Sequence, residues 1–315
     1  MSSDDDRREV CSTFNRLGHE YDIGTADEHL VFADCRLKVL DGIEVASQCV
    51  HLDLNTNFIE DMEPVKALSR LEYLDLYLNK IRRIQGLEGM KELSFLDLSF
   101  NAVRKIDGLD AVTKLESLYL PSNKIEVIQN VDHLTNLVCL ELAANRIRNV
   151  TGIESLCKLE QLWLGKNKLT KMLVPPLPSL RQLALQSNRI GEWDHCIEHL
   201  PALEELYLGH NQLPSPPRGL LSKVPKLTVL DLAGNAVDSL EWLEDTLELK
   251  DLWLNDNKIA DRKQIHYITS TKLETVYLER NPMQLQLGPA YRGLVIELAP
   301  QLQQLDALEV TSVRQ

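Results

Sequence analysis

The amino-acid sequence predicts an α/β repeat solenoid, and three features of the 315-residue chain lead to this prediction. The first is a unit of the form L-x-x-L-x-L-x-x-N, which is clearest in the segment LETVYLERN at 273–281. The second is its spacing, because the unit recurs every 21 to 24 residues. The third is that eleven copies lie in phase, which chance does not produce. Their asparagines are Asn57, Asn79, Asn101, Asn123, Asn145, Asn167, Asn188, Asn211, Asn235, Asn257 and Asn281.

A unit of this length and pattern is typical of a leucine-rich repeat, which contributes one β-strand and a short return segment per copy. In the copy that ends at Asn79, Leu74 and Leu76 should point into the core, while Tyr73 and Asp75 point to solvent. The asparagine amide can pair backbone groups that the bend after the strand leaves free. One copy cannot bury its own leucines, so the copies stack. We therefore expect a horseshoe with a concave parallel sheet of about twelve strands and short helical or extended convex returns.

Three segments follow from this pattern. Residues 1–28 form an acidic, polar N-terminal tail. Residues 29–281 hold the repeats, beginning with a degenerate copy in which Cys35 takes the asparagine position. Residues 282–315 form a C-terminal cap, which must cover the end of the core.

The residue patterns of the return segments and of the cap predict their local structure. Prolines at 171–180 and 214–225 exclude long helices there and predict extended or tightly turned segments. Apolar residues at i, i+3, i+4 and i+7 from Tyr291 predict a helix. Leu302 and Leu305 then predict a last partial strand.

Composition limits the class of partner and the compartment. The net charge of −13 and the pI of about 5.1 disfavour nucleic acid or a membrane surface as the main partner. No apolar run reaches membrane-spanning length, and the N-terminus does not resemble a secretory signal. Six cysteines without paired spacing indicate a reducing, intracellular compartment.

The sequence offers no convincing catalytic constellation. The segment LGKNK at 164–168 lacks the glycines of a phosphate-binding loop. His195 and His199 could stand one helical turn apart beside Cys196, as metal ligands would, but a polar return segment on the convex face is the better explanation. The carboxylates form no evident acid and base pair. We expect neither an enzyme, nor a cofactor, nor a metal site.

The informative surface is the solvent side of the sheet, formed by the residues six, four and two positions before each asparagine. None of these 33 positions holds Lys or Arg, although random placement of the 34 in the chain would put about three or four there. A negative strip of this kind would attract a basic partner and set its register. The acids on it are Asp53, Asp75, Asp97, Glu141, Glu205, Asp231, Asp251 and Glu279.

Aromatic residues reinforce this interpretation. Tyr and Trp are frequent hot spots of protein interfaces, although neighbouring rings can also simply stabilise a sheet by stacking. A face of about twelve strands would span about 55 Å, which suits a globular protein better than a small ligand. The aromatic residues four positions before the asparagines are Tyr119, Trp163, Tyr207, Trp253 and Tyr277.

The chain also resembles the protein phosphatase 1 regulatory subunit 7 family. The resemblance runs from about residue 30 to the end and rests on the 22-residue repeats and on specific segments. These segments are LDLSFN at 96–101, LGKNK at 164–168, LNDNKI at 254–259 and LETVYLERNPMQ at 273–284 followed by PAYR at 289–292.

In that family the concave face grips the phosphatase catalytic subunit through a row of acids and aromatics. Tyr119 and Trp163 stand where the family has phenylalanine, and Asp251 stands where it has glutamate. Ala184 replaces a larger side chain, and the proline-rich returns are not typical. The positions that match identically are Asp97, Glu141, Asp231, Trp253 and Tyr277.

The resemblance implies a non-catalytic regulatory subunit that binds the protein phosphatase 1 catalytic subunit, with room for a third, inhibitory subunit. It implies a nuclear and cytoplasmic location, and we expect a monomer on its own. The alternatives are an assembly adaptor of a splicing particle or ciliary complex, and an enzyme with an unrecognised site. The expected partner-binding residues are Asp97, Tyr119, Glu141, Trp163, Tyr207, Asp231, Asp251, Trp253, Tyr277 and Glu279.

Overall fold

A computed structural model describes residues 23–246, 248–269 and 271–310, so most of the expected tail at 1–28 lies outside the described residues. The described residues form two compact units. Unit 1 comprises residues 23–147 and 151–159, and unit 2 comprises residues 148–150 and 160–310. Within these ranges no helix has the length and apolar character needed to cross a bilayer.

Unit 1 is built from six three-residue strands that pair in parallel with their sequence neighbours. Residues 22 apart lie opposite one another, so Leu52, Leu74 and Leu96 form one buried row. Short 3-10 helices at Ile43–Val45 and Glu63–Ala67 lie in the return segments. The strands are β1 (His29–Val31), β2 (His51–Asp53), β3 (Tyr73–Asp75), β4 (Phe95–Asp97), β5 (Ser117–Tyr119) and β6 (Cys139–Glu141).

Unit 2 continues the pattern with eight strands, and its last strand runs antiparallel to the one before it. These strands are β7 (Gln161–Trp163), β8 (Gln182–Ala184), β9 (Glu205–Tyr207), β10 (Val229–Asp231), β11 (Asp251–Trp253), β12 (Thr275–Tyr277), β13 (Gln304–Leu305) and β14 (Leu308–Glu309).

The helices of unit 2 lie in its returns and beyond β12. Among the described residues of this unit, five are 3-10 helices, at His195–His199, Leu221–Lys223, Glu241–Asp245, Arg262–Ile265 and Gly288–Ala290. Another three in the same described part are α-helices, namely α1 (His266–Thr269), α2 (Pro282–Leu287) and α3 (Tyr291–Leu298).

The repeat asparagines hold neighbouring copies together, as Asn123 illustrates. Its Nδ2 donates to the carbonyls of Leu98, Leu120 and Pro121 at 2.9, 3.1 and 3.2 Å. Its Oδ1 accepts from the N–H of Val103 at 2.9 Å. The buried amide thus pairs the polar backbone groups that the bend leaves inside the core, as the sequence predicts.

The predicted fold class is confirmed: the strands form parallel leucine-rich-repeat sheets with short returns. Fourteen strands are present among the described residues, rather than about twelve. The strand β13 holds Leu305 of the predicted last partial strand, whereas Leu302 lies just before it, and β14 is an additional strand. The helix predicted from Tyr291 is confirmed as α3. Leu298, however, ends α3 and is 40% exposed, so it does not belong to the buried side of that helix.

The proline-rich returns behave as predicted. Residues 171–180 contain no helix, and the return at 214–225 contains only the 3-10 helix Leu221–Lys223. Apolar residues of these returns, such as Leu177 and Leu221, are buried and complete the core behind the strands.

Candidate protein-binding site

The middle residue of each full strand is buried, and the residues on either side of it point to the opposite, solvent side. We call this side of β1–β6 the unit 1 face and this side of β7–β12 the unit 2 face. Nine of the ten predicted partner-binding residues lie on these faces, Glu279 lies two residues beyond β12, and all ten are half-buried. The predicted aromatic residues are the last residues of their three-residue strands.

The unit 1 face carries a ladder of stacked rings. The rings of His51 and Tyr73 are 4.1 Å apart, and those of Tyr73 and Phe95 are 4.3 Å apart, with interplanar angles of 10° and 8°. His29 and Tyr119 extend the ladder at centroid distances of 5.6 and 5.3 Å. Because the strands are in register, each ring packs against the next along the sheet.

Beside this ladder runs a row of acids. The backbone N–H of Tyr77 donates to the carboxylate of Asp75 at 2.8 Å, and Ser99 donates to that of Asp97 through its N–H at 2.7 Å and through its hydroxyl. Partial burial raises the pKa of Asp75 to about 6, and the neighbouring Asp97 and Asp53 add to this rise. Burial also raises the pKa of Asp97. These carboxylates are desolvated and close to one another, so a cation would stabilise them.

Glu141 lies on β6, next to Tyr119 on β5. Burial raises the pKa of Glu141, and the charge of Asp97 raises it further. Burial likewise raises the pKa of Tyr119 to about 12, so its hydroxyl remains a hydrogen-bond donor at neutral pH. Cys139, at the start of β6, is only 6% exposed and therefore contributes little surface to the unit 1 face.

In unit 2 the aromatic residues form pairs. The rings of Trp163 and Tyr207 stack 6.2 Å apart across Ala184 of the intervening strand, which is only 1% exposed. The small side chain of Ala184 leaves the space that the two rings fill. The Tyr207 hydroxyl donates to Glu205 Oε2 at 2.7 Å, and burial, together with this bond, raises the pKa of Tyr207.

A second aromatic pair lies on β11 and β12. The rings of Trp253 and Tyr277 are 6.2 Å apart, and Gln304 donates to the Tyr277 hydroxyl at 2.6 Å. On β10, Asp231 accepts from the N–H of Ala233 at 2.8 Å, and burial raises its pKa. Its carboxylate lies over Gly209, where an added Cβ would come within 2.5 Å of Asp231 Oδ2.

Glu279 differs from the other predicted acids because a cation of the same chain already pairs with it. Arg280 Nη1 lies 2.7 Å from Glu279 Oε1, and the same guanidinium makes a two-point contact with Asp256 at 2.6 and 2.7 Å. This contact holds the pKa of Asp256 at about 2. Arg280 therefore weakens the negative potential at this end of the unit 2 face. Asp251, on β11, is half-buried.

The partner-binding residues predicted from the sequence do not include the ring ladder of the unit 1 face. His51, Tyr73 and Phe95 occupy the same position in three successive copies, and this succession was the available signal. Asp53 and Asp75 extend the acid row past Asp97 and were also left out of the set.

His195 and Cys196, which were considered as metal ligands with His199, form hydrogen bonds with other groups of the protein. Cys196 Sγ donates to the carbonyl of Met172 at 2.6 Å, and burial raises the pKa of this thiol to about 11. His195 Nδ1 lies 2.8 Å from Glu198 Oε1. Across the described residues, no three His, Cys, Asp or Glu side chains converge as metal ligands would.

Comparison with known proteins supports the leucine-rich-repeat fold and shows that parts of the chain are similar to parts of several curated proteins. A leucine rich repeat family model matches residues 48–103 and 178–237. The protein phosphatase 1 regulatory subunit SDS22 of Schizosaccharomyces pombe is 39% identical over 70 residues, which cover 22% of this chain and 21% of that protein. The human cilia- and flagella-associated protein 410 is 29% identical over 93 residues, covering 29% and 36%. The chain spans only 12% to 36% of the length of the curated relatives that it matches.

Among solved structures, an internalin from Listeria monocytogenes superimposes with a TM-score of 0.69 and 22% identity. The superposition covers 91% of this chain and 88% of that one. An identity this low is evidence for the fold alone. The repeats, the register of the strands and this likeness together make the chain a protein with the leucine-rich-repeat fold.

Proposed function

We propose that this chain is a non-catalytic regulatory subunit that binds the protein phosphatase 1 catalytic subunit through its unit 1 and unit 2 faces. The observation that carries the proposal is the composition of these faces, which present half-buried acids and aromatics and no Lys or Arg in the three strand columns. A surface of this kind complements a basic partner surface with apolar pockets.

The aromatic residues would supply most of the affinity. The rings of Trp163 and Trp253 are already half-buried and stacked on their neighbours in the free protein. Little side-chain freedom remains to be lost on binding, which favours these residues as anchors. Tyr119, Tyr207 and Tyr277 would contribute smaller contacts of the same type.

The acids would guide the encounter and pair with Lys or Arg of the phosphatase. Asp97 and Glu141 on the unit 1 face, and Asp231 and Asp251 on the unit 2 face, are the residues to which we assign this role. Partial burial strengthens such pairs, because the local dielectric constant is lower than in water. Glu279 would have to exchange its contact with Arg280 for one with the partner.

The choice of partner rests on the resemblance to the regulatory subunit 7 family and on the relative named as a phosphatase regulatory subunit. A role in the nucleus and cytoplasm, and a possible third subunit, belong to the same proposal.

Calorimetric titration with the phosphatase catalytic subunit tests the proposal. Glu141→Lys changes the unit 1 face and Trp253→Ala changes the unit 2 face, so each should be measured alone and then in combination. We expect Trp253→Ala to weaken binding by about 2 kcal/mol, or about thirtyfold. The matched controls are Trp193→Ala and Glu88→Lys, because both residues lie on return segments. Absence of binding by the wild-type chain would refute the proposal.

An adaptor function is the second candidate, because the human cilia- and flagella-associated protein 410 is also similar to part of the chain. In that case the same faces would hold a subunit of a ciliary or splicing assembly. Affinity purification with quantitative mass spectrometry separates the two functions. Recovery of such subunits without phosphatase, lost in the Trp253→Ala variant, would favour the adaptor.

A further inference from the structure

Two neighbouring return segments of unit 1 each carry a pair of cations at the same position. Arg82 and Arg83 follow β3, and Arg104 and Lys105 follow β4, 22 residues later. Because β3 and β4 pair in register, the two pairs lie in adjacent copies. In no other copy are the residues three and four positions after the asparagine both basic. The pairs thus concentrate positive charge on a protein whose net charge is −13.

These side chains line a groove. It has a volume of about 530 Å³ and is bounded by both pairs and by Asp107. A smaller groove of about 310 Å³ shares Arg104 and Lys105 and adds Lys124, Glu126 and Val127. Five cations therefore surround one connected surface within unit 1.

Most of these charges are not neutralised within the protein. Arg82 has one long ion pair, with Glu60 at 3.7 Å. Within residues 23–310, apart from 247 and 270, the structure shows no ion pair for Arg83, Arg104, Lys105 or Lys124. Like charges that line one groove repel one another, and a bound anion would relieve that repulsion.

The one acid that lines the larger groove is engaged elsewhere. Asp107 Oδ1 accepts from Asn130 Nδ2 at 2.7 Å, so it is directed toward the next copy. Glu126, the acid on the smaller groove, lies 3.9 Å from Arg146 Nη1. The five cations of the two grooves therefore outnumber two acids that already have other partners, and the surface keeps a positive charge for a ligand. Guanidinium groups bind phosphate oxygens at two points, and adjacent copies lie about 5 Å apart, so anionic groups on nearby residues of one chain could be held together.

The smaller groove also carries an exposed apolar side chain. Val127 lines it together with Arg104 and Lys105 and is 55% exposed. A free anion gains nothing from such a side chain, whereas an apolar residue that flanks a phosphorylated residue could pack against it. We propose that this basic groove, lined by Arg82, Arg83, Arg104, Lys105 and Lys124, binds a phosphorylated segment of a partner protein. The groove lies on the returns and not on the unit 1 face, so this inference is independent of the proposed function.

Fluorescence anisotropy with the full chain tests the inference. The probe is a short fluorescein-labelled peptide with two phosphoserines separated by a leucine. The variant Arg83→Glu with Arg104→Glu should weaken binding of this peptide by at least about tenfold. A milder variant, Arg83→Gln with Arg104→Gln, should weaken it in the same direction. An unchanged thermal midpoint would show that the substitutions at these exposed residues leave the fold intact.

The matched control is Arg189→Glu with Lys258→Glu. Both residues are exposed cations of unit 2, and the control changes the net charge by the same amount as the groove variant. It should bind the phosphopeptide as the wild type does. An equal loss of affinity in the control would attribute binding to overall charge and overturn the inference.

Three further measurements distinguish a phosphorylated peptide from free phosphate and from a lipid headgroup as the bound anion. The unphosphorylated peptide should bind at least about tenfold more weakly. If inorganic phosphate competed at the same concentration as the peptide, the groove would be a free-anion site. If phosphatidylserine vesicles were bound in place of the peptide, it would be a membrane contact. Either result, or absence of peptide binding by the wild type, would overturn the inference, whereas unchanged phosphatase binding by the groove variant would leave the proposed function untouched.

Discussion

The carboxylate of Asp75 shows how a position on the sheet determines the chemistry of a residue. It lies between Asp53 and Asp97 in the parallel register and is half-buried beside the ring ladder. The loss of water around the charge is the main reason why its pKa rises to about 6, and the two flanking acids add to it. The ionised form of Asp75 is thus less stable in the folded protein than in the unfolded chain.

We predict that Asp75→Asn stabilises the protein at pH 7. Because the folded-state pKa is above the ordinary value of 3.8, the folded protein binds this proton more tightly, and the resulting stability is lost as the pH rises from about 4 to about 6. The asparagine cannot ionise, yet its oxygen can still accept from the N–H of Tyr77. The free energy of unfolding should rise by about 1 kcal/mol at pH 7, and not at pH 3.5.

Urea denaturation across this pH range checks the prediction. Asp110→Asn, at an exposed carboxylate on a return segment, is the matched control and should follow the wild-type pH dependence. If Asp75→Asn showed the same pH dependence as the wild type, burial would not be what sets the chemistry of Asp75.

The sequence predicts which side of the sheet a residue occupies, because the repeat sets the alternation. The sequence does not predict which neighbouring residues a side chain contacts. Arg280 lies outside the three columns, yet it turns toward Glu279 and Asp256. The stacking of Trp163 on Tyr207 likewise depends on the space above Ala184, which is a property of three strands and not of one.

At the scale of elements, the end of unit 2 shows how a repeat array is closed. Within the array, the N–H of Leu254 donates to the carbonyl of Tyr277 in the next strand at 2.8 Å. After β12 comes the two-residue strand β13, and the equivalent carbonyl, that of Asp306, accepts from Gln304 Nε2 at 2.9 Å. The N–H groups of Leu278 and Glu279 donate instead to the carboxylate of Asp306, at 2.8 and 3.0 Å. The side chain of Asp306 therefore takes over the role that a strand carbonyl has in the earlier copies.

We predict that Asp306→Ala destabilises the end of unit 2. The change removes the acceptor of two backbone N–H groups and of the Tyr291 hydroxyl, which donates to Asp306 Oδ2 at 3.1 Å. The free energy of unfolding should fall by about 2 kcal/mol. Hydrogen exchange at Leu278 and Glu279 should accelerate, and mass spectrometry can follow it.

Glu297→Ala provides the control for this prediction, since Glu297 is an exposed acid on α3. It should leave both the exchange rates and the free energy of unfolding close to those of the wild type. Unchanged exchange in the Asp306→Ala variant would contradict the assigned capping role.

The sequence predicts α3 and the buried Leu305, because both continue an apolar period. It does not predict the role of Asp306. That role requires a backbone φ of 54° at Asp306 and contact with residues almost thirty positions earlier, and neither leaves a local pattern.

At the scale of the whole molecule, acidic and basic residues lie on different parts of the repeats. The three strand columns hold eight acids and no Lys or Arg, while the cations lie mainly on the returns. The net charge of −13 adds a long-range field of the same sign as the faces. The repeat spacing predicts this sorting, because it assigns each position to a face or to a return. It does not predict the division into two units, since the spacing of 22 residues continues from Asn145 to Asn167.

We predict that association with a basic partner depends strongly on salt. Raising sodium chloride from about 0.05 M to about 0.5 M shortens the screening length, and the association rate should fall at least about fivefold. Stopped-flow fluorescence with the phosphatase catalytic subunit measures this rate. Trp253→Ala should accelerate dissociation while leaving the salt dependence intact, because it removes contact area and no charge. A rate that is independent of salt would argue against electrostatic guidance.

The hairpin of β13 and β14 has a consequence for how molecules of this chain meet one another. An array of identical coils has no inherent limit to its growth, because the edge of its last strand could accept the first strand of another molecule. Here β14 runs in the reverse direction, and the guanidinium of Arg292 occupies the carbonyls of Leu305, Leu308 and Glu309. An incoming parallel strand would meet the wrong polarity and carbonyls that are already engaged. The hairpin thus disfavours the addition of another strand at this edge and opposes end-to-end polymerisation at high concentration.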